Sequence, residues 1–432
     1  MSQIDRLVLA EVEVGAASFS DLLQRLPSIY PTEVLASLNR LAEGGRVSAE
    51  LCNYLHRDAE RRPDRPPDGR CLLPLPHPLD YEWRFTPDSS RTLLNLASEL
   101  TPFGGDVLLF GTPGLAVEAL ALPINRRLSL LSEENIVTER LITLNRATGS
   151  PLSIAYCSAG LPRESADAVI LDPPWYMDFI RPMLAAAAGA CRMRGFVFLS
   201  VPPASTRPTA EEDRLSIIRF AGRLGLDLVD HQPLAIRYDT PFFEANALAV
   251  AGIFPPSRWR RGDLLVMRKV SEGTRSAPRV SNRRRPWVEV PVGRMRLFVS
   301  AATSDAGGSK GVLPLLEGDV LPTVSRRHPK RRDAQIWTSG NRIYRTDNAR
   351  LVVEAALVFA RENDEGSSVQ PSLWGNVYDS EALERVGREI AELTKMEAAE
   401  ERGSLEIGPE RSDTWKSNLT NSSSRSPAIA FG

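Results

Sequence analysis

One apolar stretch of the sequence ends in residues that suit chemistry on an amine. Residues 168–171 read as a short buried strand, and Asp172-Pro173-Pro174-Trp175 follows it directly. Methyl transfer to an exocyclic amine is favoured when acceptors draw the amine hydrogens out of conjugation, and Asp172 and the carbonyl of Pro173 could be those acceptors. The prolines stiffen the loop and offer no competing N–H. Trp175 offers a face on which a flipped-out planar base could stack.

A glycine turn lies about 60 residues before this tetrapeptide. Residues 106–120 (DVLLFGTPGLAVEAL) predict a strand, a turn and a helix. Such a turn lets a cofactor approach the backbone at the start of a helix. Ligands of open α/β sheets bind at the carboxyl ends of strands, where the turn and the tetrapeptide are both predicted to lie. The predicted cofactor contacts in this turn are Phe110, Gly111, Thr112 and Gly114.

Asp172 to Trp175 resembles the (D/N/S)-P-P-(Y/F/W) motif of class I amino-group methyltransferases that act on N6 of adenine or N4 of cytosine. The resemblance implies S-adenosylmethionine (AdoMet) as the cofactor. It also implies a catalytic role for all four motif residues. Two positions depart from the family pattern, because Leu109 stands where an acid is usual and Pro113 interrupts the glycines.

Two further segments are candidates for cofactor binding. Glu133 or Glu134 follows the second strand, where the family places an acid that holds the ribose; both could instead cap the next helix. Phe85 and Thr86 precede the glycine turn, where related enzymes approach the cofactor from above, although an N-capped helix explains them as well.

Candidate substrate contacts lie in three places. Tyr176 follows the tetrapeptide, and a predicted loop between two late strands carries Asp239, Phe242 and Glu244, unless Pro241 simply stabilises a hairpin there. A basic stretch further on interleaves cations with aromatic rings, which suits phosphate contact and base stacking, although charge runs are usually solvated surface. Its candidate residues are Arg326, Arg327, Trp337 and Arg342.

A winged-helix unit followed by a Rossmann domain with G-x-x-x-L and D-P-P segments is also similar in layout to the branched-chain polyamine synthases, which are aminopropyltransferases. Those enzymes carry an acidic loop for a polycation, whereas this chain has Gly111-Thr112-Pro113-Gly114-Leu115 there. Three hypotheses therefore stand. The first is AdoMet-dependent methylation of a base amine in DNA or RNA, the second is aminopropyl or other alkyl transfer to a small amine, and the third is a nucleic-acid-binding protein with an inactive methyltransferase scaffold.

The whole pattern predicts an α/β fold with a Rossmann-like class I methyltransferase domain. Short apolar strands at 107–110, 128–131, 153–156, 168–171, 195–201, 226–232, 247–254 and 264–269 alternate with helical segments. Residues 46–54 are predicted to form the wing of a winged helix-turn-helix. The predicted segments are a winged helix-turn-helix (1–57), a proline-rich linker (58–79), the methyltransferase domain (80–270), a linker (271–285), a basic α+β module (286–398) and a disordered tail (399–432).

Composition excludes several classes of protein. The four cysteines show no C-x-x-C spacing and no histidine cluster, so neither a disulfide framework nor a metal site is expected. No run of about 18 apolar residues occurs, so we expect a cytoplasmic chain that does not cross a membrane. Residues 281–350 hold 14 Lys/Arg against 6 Asp/Glu, and this excess indicates a nucleic-acid partner. The sequence leaves the oligomeric state open.

Overall fold

The computed structural model describes residues 1–60, 72–150, 152–160, 163–273, 287–301, 311–325, 328–363 and 380–402. The chain divides into two compact units, which we call the first and second units. The first comprises Met1–Pro74, Tyr81–Pro241 and Ile253–Arg283, and the second comprises Leu75–Asp80, Phe242–Gly252 and Arg284–Gly432. No helix of the described part of the chain is both long and apolar enough to cross a membrane.

The first unit begins with four helices. They are α1 (Gln3–Glu13), α2 (Phe19–Arg25), α3 (Pro31–Glu43) and α4 (Ala49–Ala59). The predicted wing over residues 46–54 is wrong, because this stretch leads into α4 and forms no strand. Ser48 explains the difference: its side chain accepts a hydrogen bond from the N–H of Leu51 and so caps the helix. The amino-terminal part of the first unit is therefore a four-helix module.

An eight-stranded sheet with flanking helices forms the rest of the first unit. Its strands are β1 (Arg84–Phe85), β2 (Asp106–Phe110), β3 (Arg127–Ser132), β4 (Ser153–Tyr156), β5 (Ala166–Leu171), β6 (Cys191–Val201), β7 (Leu226–Asp239) and β8 (Arg261–Lys269). Its helices are α5 (Pro87–Leu100), α6 (Pro113–Ala121), α7 (Ile136–Thr148), α8 (Met177–Ala190) and α9 (Ala210–Arg223). The strand order is β1-β7-β8-β6-β5-β2-β3-β4.

Two strands of this sheet, β1 and β8, run opposite to the other six. The pairs from β4 to β6 are all parallel, whereas β8 is antiparallel to both β6 and β7, and β1 is antiparallel to β7. The chain order reverses between β2 and β5, and such a switch point is where open α/β sheets bind ligands. Apolar side chains bury both faces of the sheet, Leu109 and Ile170 on one and Val169 and Leu199 on the other.

Seven of the eight predicted strands are present. The remaining prediction, a strand at 247–254, is wrong. The first half of the stretch 247–254 belongs to helix α10 (Phe242–Val250), and the second half forms no strand. A short apolar run suits a buried helix as well as a buried strand, and only packing decides between them. Helix α10 and Leu75–Asp80 both belong to the second unit, so the predicted boundaries of the linker and of the methyltransferase domain are wrong as well.

The second unit contains a five-stranded antiparallel sheet in the order β11-β13-β12-β10-β9. Its strands are β9 (Trp287–Val292), β10 (Met295–Ser300), β11 (Leu313–Pro314), β12 (Ile336–Thr338) and β13 (Ile343–Arg345). Helices α11 (Ala349–Asn363) and α12 (Ser380–Glu401) pack with the sheet around one apolar core. The predicted linker at 271–285 and the predicted tail at 399–432 lie mainly outside the described residues.

Candidate active site at the carboxyl edge of the sheet

The glycine turn and the predicted tetrapeptide meet at the switch point of the first unit. Phe110, the last residue of β2, is in register with Leu171, the last residue of β5. Gly111 and Asp172 therefore leave neighbouring strands side by side. This is the juxtaposition that the sequence predicts, and it places a carboxylate next to a backbone turn at the ligand-binding edge of the sheet.

Asp172 is held by a chain of hydroxyl groups. The Tyr238 hydroxyl donates to Asp172 Oδ1 at 2.7 Å, and the Ser200 hydroxyl lies 2.5 Å from the Tyr238 oxygen. Burial raises the pKa of Asp172 to about 7, while hydrogen bonds from Tyr238 and Ser200 and the charge of Arg260 act in the opposite direction. Near neutral pH this carboxyl group can therefore both hold and release a proton.

Trp175 is not the open stacking surface that the sequence predicts. The residue is only 6% exposed, and the guanidinium carbon of Arg260 lies 4.1 Å from the centre of its ring. The same guanidinium lies 4.0 Å from the ring centre of Trp83, so both indoles contact one cation. A base could stack on this face of Trp175 only after Arg260 had moved.

Arg207, Tyr238 and Gly262 surround Trp175. The carbonyl of Trp175 accepts a hydrogen bond from Arg207 at 2.9 Å, and its ring meets Tyr238 edge-on at 5.7 Å between centroids. A Cβ atom at Gly262 would lie 3.2 Å from the Trp175 ring and 3.0 Å from the Ser200 hydroxyl. Glycine at position 262 therefore lets β8 approach the site closely.

The residues on either side of Trp175 shape the loop. Pro173 is buried, and the carbonyl of Pro174 accepts a hydrogen bond from the N–H of Tyr176 at 2.6 Å. The ring of Tyr176 meets Tyr81 edge-on, with 6.3 Å between centroids. The predicted roles of the Pro173 carbonyl and of Tyr176 in substrate binding stay predictions.

The glycine turn has the form of a ligand cradle. Gly111 has φ of +65°, a conformation that favours glycine, and its N–H donates to the carbonyl of Leu131 at 2.8 Å. The buried Thr112 hydroxyl oxygen has no hydrogen-bond partner among the described residues. A Cβ at Gly114 would lie 3.3 Å from side-chain carbons of Arg84, so Gly114 allows close packing here. A buried hydroxyl without a partner beside an open backbone turn fits a polar ligand.

The two acids after β3 differ in their surroundings. Both Glu133 and Glu134 are exposed. Burial, followed by the carboxylate charge of Glu133, raises the pKa of Cys157 to about 11, which indicates that Glu133 lies near the carboxyl end of β4. The Tyr156 hydroxyl donates a hydrogen bond to Glu139, and this bond, burial and the charges of Glu139 and Glu134 raise the pKa of Tyr156. Both acids thus lie near the carboxyl end of β4, and the predicted ribose contact by Glu133 or Glu134 stays a prediction.

Phe85 and Thr86 have structural roles. Phe85 is 7% exposed and packs on Tyr238 at 5.3 Å between ring centroids. Thr86 is 1% exposed, and its hydroxyl accepts the N–H of Ser89 and so caps α5. The predicted cofactor contact is wrong for Thr86, because its hydroxyl is buried in the cap.

The predicted substrate loop divides between the two units. Asp239 remains at the end of β7 and pairs with Arg258 at 2.9 Å. Phe242 and Glu244 are 5% and 0% exposed, and both belong to α10 of the second unit. They are not part of an exposed loop, so the predicted substrate contacts of Phe242 and Glu244 are wrong.

The predicted nucleic-acid contacts near residue 340 are wrong for the two residues that the structure describes. Trp337 is 1% exposed and Arg342 is 3% exposed. Arg342 contacts Asp319 at 3.1 Å and Glu400 at 2.6 Å, so this cation is buried among carboxylates of its own chain. Arg326 and Arg327 lie outside the described residues.

Sequence analysis missed four residues that the structure places at the site: Ser200, Tyr238, Arg260 and Trp83. Tyr238 and Ser200 belong to strands that follow the tetrapeptide, and neither strand carries a motif. Their positions near the carboxyl ends of β7 and β6 are a weak indication, because the strand ends that point the same way share the edge with Asp172. Nothing in the sequence indicated that Arg260 would lie between two tryptophans.

No family model and no curated protein matches this chain. Among solved structures, a C9 mutein of the branched-chain polyamine synthase from Thermus thermophilus superposes with a TM-score of 0.50 and 13% identity, covering 65% of this chain and 90% of that one. The first unit has a Rossmann-like methyltransferase fold. The unmutated synthase gives a TM-score of 0.49 at 14% identity with the same coverage.

A putative RNA methyltransferase from Pyrococcus horikoshii is 20% identical, with a TM-score of 0.35, and covers 45% of this chain and 90% of its own. At these identities the similarity shows the fold alone. The layout expected from the polyamine synthases is thus shared, while substrate and reaction have to be argued from the site of this chain.

Proposed function

We propose that the first unit is an AdoMet-dependent N-methyltransferase that acts on an amine nitrogen, with an exocyclic amine of a nucleic-acid base as its target. One observation carries the proposal: the Asp172 carboxyl group lies at the switch point, beside the glycine turn, with a pKa near 7. Its second oxygen, Oδ2, is the candidate acceptor for an amine hydrogen.

The residues of the turn fit the proposed cofactor. The positive φ of Gly111 opens the backbone, and the buried Thr112 hydroxyl supplies a polar group that has no partner within the described chain. Glu133 or Glu134 would hold the ribose hydroxyls. Bound AdoMet would supply an electrophilic methyl group on a sulfonium, with a neutral thioether as the leaving group.

Asp172 handles the proton in this proposal. An amine hydrogen bonded to the carboxylate keeps the nitrogen lone pair directed towards the methyl donor, and after transfer the carboxylate can accept the proton. The Tyr238 hydroxyl stabilises the ionised form by donating to Oδ1. The Pro173 carbonyl is the proposed second acceptor.

The test uses the full-length chain with AdoMet and Asp172→Asn. We expect AdoMet binding by calorimetry in both proteins, and methyl transfer to oligonucleotide amines slower by about 10²-fold or more in the variant. The matched control is Asp227→Asn, because Asp227 is exposed on β7.

Two results would contradict the proposal. One is the absence of AdoMet binding at millimolar concentration, and the other is unchanged transfer by Asp172→Asn. The melting temperature measured with decarboxylated AdoMet distinguishes aminopropyl transfer from methyl transfer. An aminopropyltransferase would be stabilised more by that compound than by AdoMet.

A further inference from the structure

Two arginines stand directly opposite each other on neighbouring strands at the carboxyl edge of the first unit. Arg237 of β7 is in register with Arg261 of β8 in an antiparallel pair. Directly opposed residues of such a pair project from the same face, with Cβ atoms about 5 Å apart, and like charges there are destabilising. Burial, followed by the charge of Arg237, lowers the pKa of Arg261.

The carboxylates that could neutralise this pair are engaged elsewhere. Asp239 lies two residues from Arg237 on the same face and pairs with Arg258 at 2.9 Å. Asp263 lies two residues from Arg261 and contacts Arg214 at 2.5 Å and His231 at 3.1 Å. Within the part of the chain that the structure describes, neither Arg237 nor Arg261 has a carboxylate partner.

The backbone at both arginines is fixed by side chains from other elements. The Ser28 hydroxyl accepts the N–H of Arg261 at 2.8 Å and donates to the carbonyl of the same residue. The N–H of Arg237 donates to the Ser89 hydroxyl at 2.8 Å, and its carbonyl accepts the N–H of Thr86. The backbone of the pair is therefore held in place before any ligand arrives, which lowers the part of the entropy cost of binding that comes from ordering the strand ends.

The pair also lies at the edge where substrate is expected. Arg237 precedes Tyr238, the partner of Asp172, and Arg261 follows Arg260, so the two arginines project from the face of the sheet opposite to these neighbours. Because β7 ends and β8 begins at the carboxyl edge, both arginines lie at the same end of the sheet as Asp172. Arg237 is exposed and Arg261 is partly exposed, so an external anion can reach them.

We propose that Arg237 and Arg261 bind a phosphate group of the substrate. Guanidinium groups bind phosphate oxygens through paired N–H donors, and two opposed arginines balance the two charges of a phosphate monoester or adjacent diesters of a nucleic-acid backbone. The anion would relieve the repulsion between the two cations. The proposal rests on the transferase function above and assigns its substrate to phosphate-bearing amines. The same two cations would repel a polyamine.

The test is binding of a labelled single-stranded oligonucleotide to the full-length chain, measured by fluorescence anisotropy at several salt concentrations. In the double variant Arg237→Gln/Arg261→Gln we expect affinity to fall about tenfold or more. The slope of log affinity against log salt should become shallower by about 1.4, which is the value for two lost contacts with single strands. Arg146→Gln is the matched control, because Arg146 is an exposed arginine on α7.

A second measurement excludes unfolding as the cause. Removing opposed like charges should leave the melting temperature of the double variant unchanged or higher. Competition with a mononucleotide identifies the source of the phosphate: equal affinity per phosphate indicates a small substrate, and much weaker competition indicates a polynucleotide. Both results support the site provided that the double variant loses binding.

Unchanged affinity and salt slope in the double variant would overturn the proposal. Calorimetry with AdoMet on the same samples separates this failure from that of the proposed reaction. If the unsubstituted chain binds no AdoMet, but the double variant loses affinity for the oligonucleotide, the phosphate site stands and the methyltransferase proposal falls. If AdoMet binds and the double variant methylates and binds oligonucleotide normally, the phosphate site falls.

Discussion

Two acidic side chains, one in each unit, have a pKa raised to about 7 by burial, yet their surroundings differ. Glu397 of the second unit is 2% exposed, and its two oxygens accept bonds from the Gly340 N–H at 3.1 Å, the Ser339 hydroxyl at 3.2 Å and the Thr338 hydroxyl. Asp172 is partly exposed at a strand end. A raised pKa therefore does not by itself mark a reactive group.

The two acids differ in whether their carboxylate oxygens already accept hydrogen bonds from their own unit. Glu397 adjoins a buried network in which Arg342 contacts Asp319 and Glu400, and its acceptors are taken by donors of its own unit. Asp172 adjoins the glycine turn, where the Thr112 hydroxyl has no partner in the described structure. The first arrangement fixes a fold, whereas the second leaves polar groups for a ligand.

The largest effect is expected for a substitution that breaks the buried network around Arg342. Arg342→Met removes the cation between Asp319 and Glu400 and leaves those carboxylates buried without a counter-charge, so the free energy of unfolding should fall by about 3–5 kcal/mol. Denaturant unfolding of the second unit measures it. Arg388→Met is the control, because its exposed pair with Glu384 is worth about 1 kcal/mol or less. Equal losses in the two variants would show that the network is not structural.

A smaller effect of opposite sign is expected at Asp172. Its pKa in the folded state lies above the usual aspartate pKa of 3.8, so the folded state favours the protonated form. The stability contributed by that proton is complete below about pH 4 and is lost as the pH rises through about 7. Asp172→Asn should therefore raise the free energy of unfolding by about 2–4 kcal/mol at pH 8 and change little at pH 4. Thermal unfolding at both pH values tests this, and a gain that did not depend on pH would contradict it.

The smallest effect concerns Tyr238. Its hydrogen bond lowers the pKa of Asp172, so Tyr238→Phe should raise the pH at which the carboxyl group is half ionised by about one unit. Infrared titration of the carboxyl band detects the shift without any assay of turnover, and the pH profile of methyl transfer should move by the same amount. Tyr54→Phe, which removes a hydroxyl bonded to the Ala17 carbonyl, is the control and should leave the titration unchanged.

Local patterns were enough to predict most of the first unit. Buried parallel strands are continuous apolar runs, and residues 106–110 and 166–171 are examples that also fixed the meeting of Gly111 with Asp172. Residues 247–254 were assigned wrongly because an apolar run does not distinguish a strand from a buried helix. Residues 46–54 were assigned wrongly because the cap at Ser48 was overlooked.

The site could be predicted only in part, because some of its side chains come from residues far apart in the sequence. Trp337 and Arg342 look like a nucleic-acid surface in the sequence because the partner that buries Arg342 is Glu400, 58 residues away. The cation between Trp83 and Trp175 likewise comes from Arg260, which is separated from Trp175 by five helices and strands of the chain. Residue types at a strand end can be predicted, whereas the side chains that complete or block the site depend on packing.

The bond between Ser28 and the first residue of β8 has a consequence for how this chain can be divided. Ser28, in a left-handed conformation with φ of +68°, holds both backbone groups of Arg261, and the N–H of Phe254 donates to the carbonyl of Ala59. The amino-terminal helices therefore support the strand that carries Arg261. A shortened chain that begins at the sheet would lose that support, and a chimaera would have to transfer the turn before α3 together with the start of β8.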